Sequence, residues 1–145
     1  MAATDTEVWC MVFVSSTIKD TTPEMTHSIL ETVRKERREA NLSGLTIFAG
    51  GNNLILVEGE KAEVYKEYEQ AKKHPAHHSM IKLYDGALPC RFFEDSPLAL
   101  KVIGGEGFRG LDSFITEEQK EYFDEFLTME HAVARLCKDF IRNNT

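Results

Sequence analysis

The sequence predicts an α+β fold, a ferredoxin-like β-α-β-β-α-β-β sheet with two helices on one face and C-terminal helices on the other. Three observations predict it. Two apolar runs, 42–49 and 54–59, flank Gly50-Gly51-Asn52-Asn53, which is a hairpin signal. Amphipathic stretches of helical period stand before and after that hairpin. The strand-like runs are apolar on both alternating faces, so the sheet needs a cover on each side.

Glu7 to Ser15 places Trp9, Met11 and Phe13 on one face and Cys10, Val12 and Val14 on the other, as in a buried inner strand with Trp9 in the core. Thr21-Thr22-Pro23-Glu24 then supplies an N-cap threonine, a first-turn proline and an acid that suits the helix dipole. The helix that follows runs to about Ala40 and packs through Met25, Ile29, Leu30 and Val33. After the hairpin, Glu60 to Lys73 forms a second helix around Val64, Tyr65, Tyr68 and Ala71, ended by His74-Pro75.

Met80 to Leu83 reads as the fourth strand. Arg91 to Phe93 and Leu98 to Ile103 read as a fifth, interrupted at Asp95-Ser96-Pro97. Gly104-Gly105-Glu106-Gly107 lacks the ending of a phosphate loop and is expected to be a joint. A capping box at Thr116-Glu117-Glu118-Gln119 opens a helical stretch bearing Phe123, Phe126, Leu127, Val133, Leu136, Phe140 and Ile141, over two helices with a break near Thr128. Residues 1–103 thus make the sheet unit, and 104–145 make a helical extension packed on it within the same domain. Crossover chirality is taken to make the first and third strands parallel neighbours, with the two helices running in one direction.

The 145 residues include 42% hydrophobic and 28% charged types, ordinary proportions for a globular chain. No apolar run reaches about 20 residues, so no membrane span is expected. Asp5 and Glu7 stand where a secretory signal would carry basic residues, and the expected location is cytoplasmic. A net charge of −7 opposes nucleic acid and anionic membrane as partners. Cys10, Cys90 and Cys137 are odd in number and lack CxxC spacing, so they read as reduced, core or semi-core thiols.

No Ser/His/Asp order, HExxH pattern or carboxylate pair marks a catalytic site, so the chain does not read as an enzyme. His74-Pro75-Ala76-His77-His78 has no cysteine or carboxylate at ligand spacing, so it does not read as a metal site. With both helices pointing one way, Arg34, Lys35, Arg37 and Arg38 would meet Lys72, Lys73, His74, His77 and His78 in a basic rim. That rim would dock a phosphate-bearing ligand or an acidic protein segment, unless its cations only complement helix dipoles in water. The C-terminal Phe/Leu stripe reads as core cover, with Phe114, Ile115 and Met129 leaving room for a partner helix.

The segments Met11-Val12-Phe13-Val14-Ser15, Ile29-Leu30-Glu31, Leu42-Ser43-Gly44-Leu45, Leu54-Ile55-Leu56-Val57-Glu58-Gly59, His77-His78-Ser79 and Arg91-Phe92-Phe93 resemble the framework of BLUF domains, blue-light sensors that use FAD. The resemblance runs without gaps from about Met11 to Leu98. It implies a flavin between the two helices, with light sensed through a tyrosine and a glutamine. The tyrosine position falls on Phe13 and the glutamine position on Ile55. Two flavin-holding asparagines fall on Glu36 and Arg37, an arginine and an aspartate of the second helix on Gln70 and His74, and a tryptophan and a methionine on Ser96 and Leu98.

Phe13 and Ile55 carry no exchangeable proton, so the resemblance leaves the scaffold and removes the switch. The expectation is a divergent BLUF-fold protein without photochemistry and without a flavin, serving as a protein-binding or structural subunit. By likeness to eukaryotic relatives, its setting is an axoneme of a cilium or flagellum. The alternative is an FAD-binding blue-light or redox sensor in which Arg37 replaces the missing amides.

Overall fold

The computed structural model describes residues 8–17, 23–49, 52–73, 77–94, 96–103 and 117–144. The elements are β1 (Val8–Thr17), α1 (Pro23–Glu39), β2 (Ser43–Ala49), β3 (Asn52–Gly59), α2 (Lys61–Lys73), β4 (His77–Leu88), β5 (Ala99–Ile103), α3 (Glu117–Phe126) and α4 (Ala132–Asn143). The five strands lie in the order β4-β1-β3-β2-β5. This is the ferredoxin-like order with β5 added at one edge.

β1 and β3 are neighbours, as the sequence predicts, but they run antiparallel, with Phe13 opposite Ile55. The connectivity explains the correction. α1 carries the chain back along β1, so β2 starts at the same end as β1, and its hairpin partner β3 runs the other way before inserting between them. α1 lies antiparallel to β1 and α2 antiparallel to β3, so the two helices also oppose each other. β5 closes the sheet alongside β2 in parallel.

Local chemistry sets these boundaries. α1 ends where Asn41 takes a left-handed conformation (φ 56°), and the Leu42 N–H turns back to the Arg37 carbonyl at 2.7 Å. Gly44 permits the next contact, because a Cβ there would sit 1.9 Å from the Leu56 carbonyl oxygen. The central strands are buried except at Asn52, the first residue of β3, as their doubly apolar pattern requires. Asn52 and Asn53 belong to β3 rather than to the turn.

Each sheet face has its own core. Cys10, Val12, Leu45, Ile47, Leu54 and Leu56 meet Phe123, Phe126, Val133, Ala134 and Cys137 of the C-terminal helices in one continuous cluster. Met11, Phe13, Ile55 and Val57 meet Val64 and Tyr68 of α2. Leu30 of α1 packs separately with Phe48, Leu98 and Leu100. α3 and α4 break around Thr128, where the sequence places the interruption, and His131 caps α4 by accepting the Val133 N–H at Nδ1.

Several local expectations change. β4 does not stop at Leu83 but runs twelve residues through Asp85-Gly86, bending past β1 at two register shifts, with Ser79 at φ 52°. Arg91 to Phe93 form no strand, for a reason given below. Cys90 is exposed, whereas burial pushes the Cys10 thiol far up and the Cys137 thiol to about 12. Trp9 is half-buried rather than core. No helix among the described residues is long and apolar enough to cross a membrane. Thr21-Thr22, Gly50-Gly51, His74 to Ala76, the 104–107 joint, Phe114-Ile115 and Thr116 lie outside the described residues.

Candidate functional site

The cleft between α1 and α2 lies over β1 and β3, and alternation along the strands decides which side chains enter it. Phe13 and Ile55 stand side by side on its floor at 1% and 7% exposure. Tyr68 of α2 presses its ring edge-on to Phe13, with centroids 5.1 Å apart at 70°. The floor is therefore hydrocarbon, closed from one side by an aromatic ring.

Polar groups bridge the cleft above this floor. Arg37 of α1 is 2% exposed and forks onto Glu67 of α2, Nε to Oε1 at 2.8 Å and Nη2 to Oε2 at 3.0 Å. Its third nitrogen, Nη1, donates to the Pro97 carbonyl at 3.1 Å. Arg34 donates to the Leu98 carbonyl at 3.2 Å. A planar guanidinium matches a carboxylate in this two-pronged way, which suits Arg to a buried pair.

The 91–98 segment that receives these bonds is itself pinned to the sheet. Glu58, fully buried in β3, accepts the Phe92 N–H at Oε1 and the Phe93 N–H at Oε2, each at 2.8 Å, and the Ser43 hydroxyl at 2.8 Å. Burial raises the Glu58 carboxyl above its usual range, against the pull of those donors and of Arg91. Ser96 extends the lacing, its N–H reaching the Phe93 carbonyl and its carbonyl accepting from Gly44. Phe92 and Phe93 thus serve a carboxylate, which is why their apolar pattern does not produce a strand.

The family pocket positions divide accordingly. Phe13, Ile55, Arg37 and Leu98 are buried around the cleft, with Ser96 half-buried at its rim. Glu36 and Gln70 are solvent-exposed, and His74 lies outside the described residues. Glu67 escapes the sequence analysis, which quotes Glu58 only as part of the family framework. Glu58 leaves one signal, an acid inside an apolar strand, which demands buried donors.

The basic rim does not assemble at one end. α1 and α2 are antiparallel, so Arg34, Lys35, Arg37 and Arg38 lie at the end of the sheet where β2 begins. Lys72, Lys73, His77 and His78 lie at the other, where His77 pairs with Thr17 at the end of β1. Arg37 is moreover a buried ion-pair partner rather than a surface cation. Among the described residues no group of three or more His, Cys, Asp or Glu could hold a metal ion.

A five-stranded ferredoxin-like sheet with two helices on one face and a helical extension on the other defines a small α+β domain. The family model for BLUF, sensors of blue-light using FAD, matches residues 8–99, and the chain belongs to that family. Among solved structures, it is similar to BlrP1 of Klebsiella pneumoniae in a manganese and cyclic-diGMP complex, at 15% identity and TM-score 0.72. That likeness covers 93% of this chain and 33% of the other. BlrB, a BLUF protein in its dark state, matches at 13% identity and TM-score 0.67 over 96% of this chain and 98% of its own. A bacterial light-regulated adenylyl cyclase matches at 16% identity and TM-score 0.65 over 81% of this chain and 35% of its own. The chain spans about a third of the length of the Klebsiella protein and of the cyclase. No curated protein matches it significantly.

The family's flavin tests the cleft. Its ring carbonyls and nitrogens need partners, and each such group buried unpaired costs roughly 1–3 kcal/mol. Phe13 and Ile55 have none to offer, and each of the three nitrogens of Arg37 already donates one bond, to Glu67 or to Pro97. The residues at these positions do not fit the group through the family's contacts.

Proposed function

We propose that this chain is a BLUF-fold domain that works without photochemistry, as a protein-binding subunit of a larger assembly. One observation carries the reading. The adjacent floor positions that would exchange protons with a flavin are Phe13 and Ile55, sealed by Tyr68 and bridged over by Arg37 and Glu67. Such a cleft holds the fold together and offers light nothing to rearrange. A cytoplasmic setting, within the axoneme of a cilium or flagellum, belongs to the same proposal, and imaging of the tagged chain tests it.

The deciding experiment is expression with added FAD, followed by absorption spectra in the dark and under blue light. The expected preparation is colourless, with no light-induced red shift. A bound yellow chromophore that shifts on illumination overturns the reading. The family match to sensors using FAD supports a second reading, a flavin sensor in which Arg37 leaves Glu67 to contact the ring. Under it, Arg37→Met abolishes flavin retention.

A further inference from the structure

We infer that the seam between α2 and the edge strand β4 is a docking surface for an extended acidic segment of a partner protein. This deepens the proposed role as a binding subunit and rests on it. Lys61, Tyr65, Tyr68 and Lys72 fall at spacings of four, three and four along α2, so they share one stripe of the helix. Lys82 of β4 and Trp9 of β1 complete that stripe.

Every ammonium on the seam stands over an aromatic ring. The Lys61 nitrogen lies 4.2 Å from the Trp9 ring centroid and 5.9 Å from that of Tyr65. Lys82 sits 5.7 Å from Tyr65 and 5.4 Å from Tyr68, and Lys72 sits 5.4 Å from Tyr68. Cation–π attraction biases each flexible lysine toward its ring. A ligand that pairs with them meets charges already partly ordered, and loses less entropy on binding.

The spacing selects an extended partner. Lys72 lies eleven positions after Lys61, about 16 Å along the axis, with Lys82 between. Acids at alternate positions of an extended chain repeat every ~6.8 Å, so three of them span about 14 Å. Ile81 and Leu83, the large hydrophobics exposed among the described residues at 58% and 41%, flank Lys82 on the open edge strand. Ile81 lies beside Val14 on the sheet face opposite Lys82, so it suits the apolar residues that alternate with the acids in a strand paired along the β4 edge.

Two carboxylates, Asp85 and Glu69, stand against the three lysines and leave the seam one net positive charge. Asp85 takes Lys82 at 3.0 Å but is also held by the Trp9 indole at 2.6 Å and the Tyr65 hydroxyl at 2.5 Å, which spreads its charge. Glu69 stands 3.9 Å from Lys72, with both side chains about half exposed. The chain's remaining negative charge is screened over about 8 Å at physiological salt.

Trp9 is the only tryptophan, so its fluorescence reports on the seam. The test titrates the full chain with a synthetic peptide of alternating Glu and Val, beside Gln/Val and Lys/Val controls, at low and physiological salt. The Glu/Val peptide is expected to change Trp9 emission saturably and to bind more weakly as salt rises. Lys61→Ala with Lys72→Ala, both exposed positions, is expected to weaken binding roughly tenfold with the circular dichroism unchanged. Equal binding by the Gln/Val peptide, no saturable binding, or full affinity in the double variant overturns the inference. So does a response to anionic vesicles or single-stranded RNA without one to the peptide. A flavin spectrum would sink the proposed function while leaving the peptide titration readable, so the two failures are distinguishable.

Discussion

The two faces of this sheet are built differently. On one, the C-terminal helices lay a continuous aromatic core over β1, β3 and β2, with Phe126 at 0% exposure touching Phe92, Phe93 and Phe123. On the other, α1 and α2 cover the strands with two separate apolar clusters and bridge the gap between helices with an ion pair of a buried Arg37 and a partly exposed Glu67. A single core resists loss through packing everywhere. A divided face depends on one polar strap.

The sharpest way to break the contrast is Phe126→Ala, which should cost about 4 kcal/mol, since truncating a buried Phe removes transfer energy and leaves a cavity. Chemical denaturation measures it. Next, Glu67→Ala should cost roughly 3 kcal/mol by stranding the Arg37 guanidinium. The double replacement Arg37→Met with Glu67→Leu should return close to wild type, because apolar pairs of similar volume often equal a buried ion pair. A double-mutant cycle reads the coupling directly. Val64→Ala, in the smaller cluster, should cost about 2 kcal/mol for its two carbons and residual cavity.

The smallest effect is a slope. Glu58 has a folded-state value raised above its ordinary 4.5, mainly by burial, so the native state holds its proton longer than the unfolded chain. Its contribution is fully present below about 4.5 and is lost as pH rises through the raised value. Thermal melts across weakly acid to neutral pH should show this decline in wild type and not in Glu58→Gln.

Much of this was readable in the chain because period-two and period-3.6 patterns are local. β1, α1, the hairpin, α2 and the paired C-terminal helices all followed from apolar spacing and Pro23. Direction was harder. Cations at two helix ends were expected to meet, but helix polarity follows strand polarity, and β1 and β3 oppose each other. The Phe92-Phe93 pair resembled a strand because apolar runs record burial; the rings are buried against Phe126, while their N–H groups go to a carboxylate thirty-four residues away from Phe92 instead of to a neighbouring strand. Arg37 looked like surface charge for the same reason, since its partner Glu67 lies on another helix.

Phe92 is gripped from opposite sides, its N–H by Glu58 in β3 and its carbonyl by the Tyr122 hydroxyl of α3, while its ring lies against Phe126 and His131. This short stretch of irregular backbone acts as a rivet through two layers. The helical extension and the sheet should therefore melt as one cooperative unit, with no partly opened form that sheds the last two helices and keeps the strands.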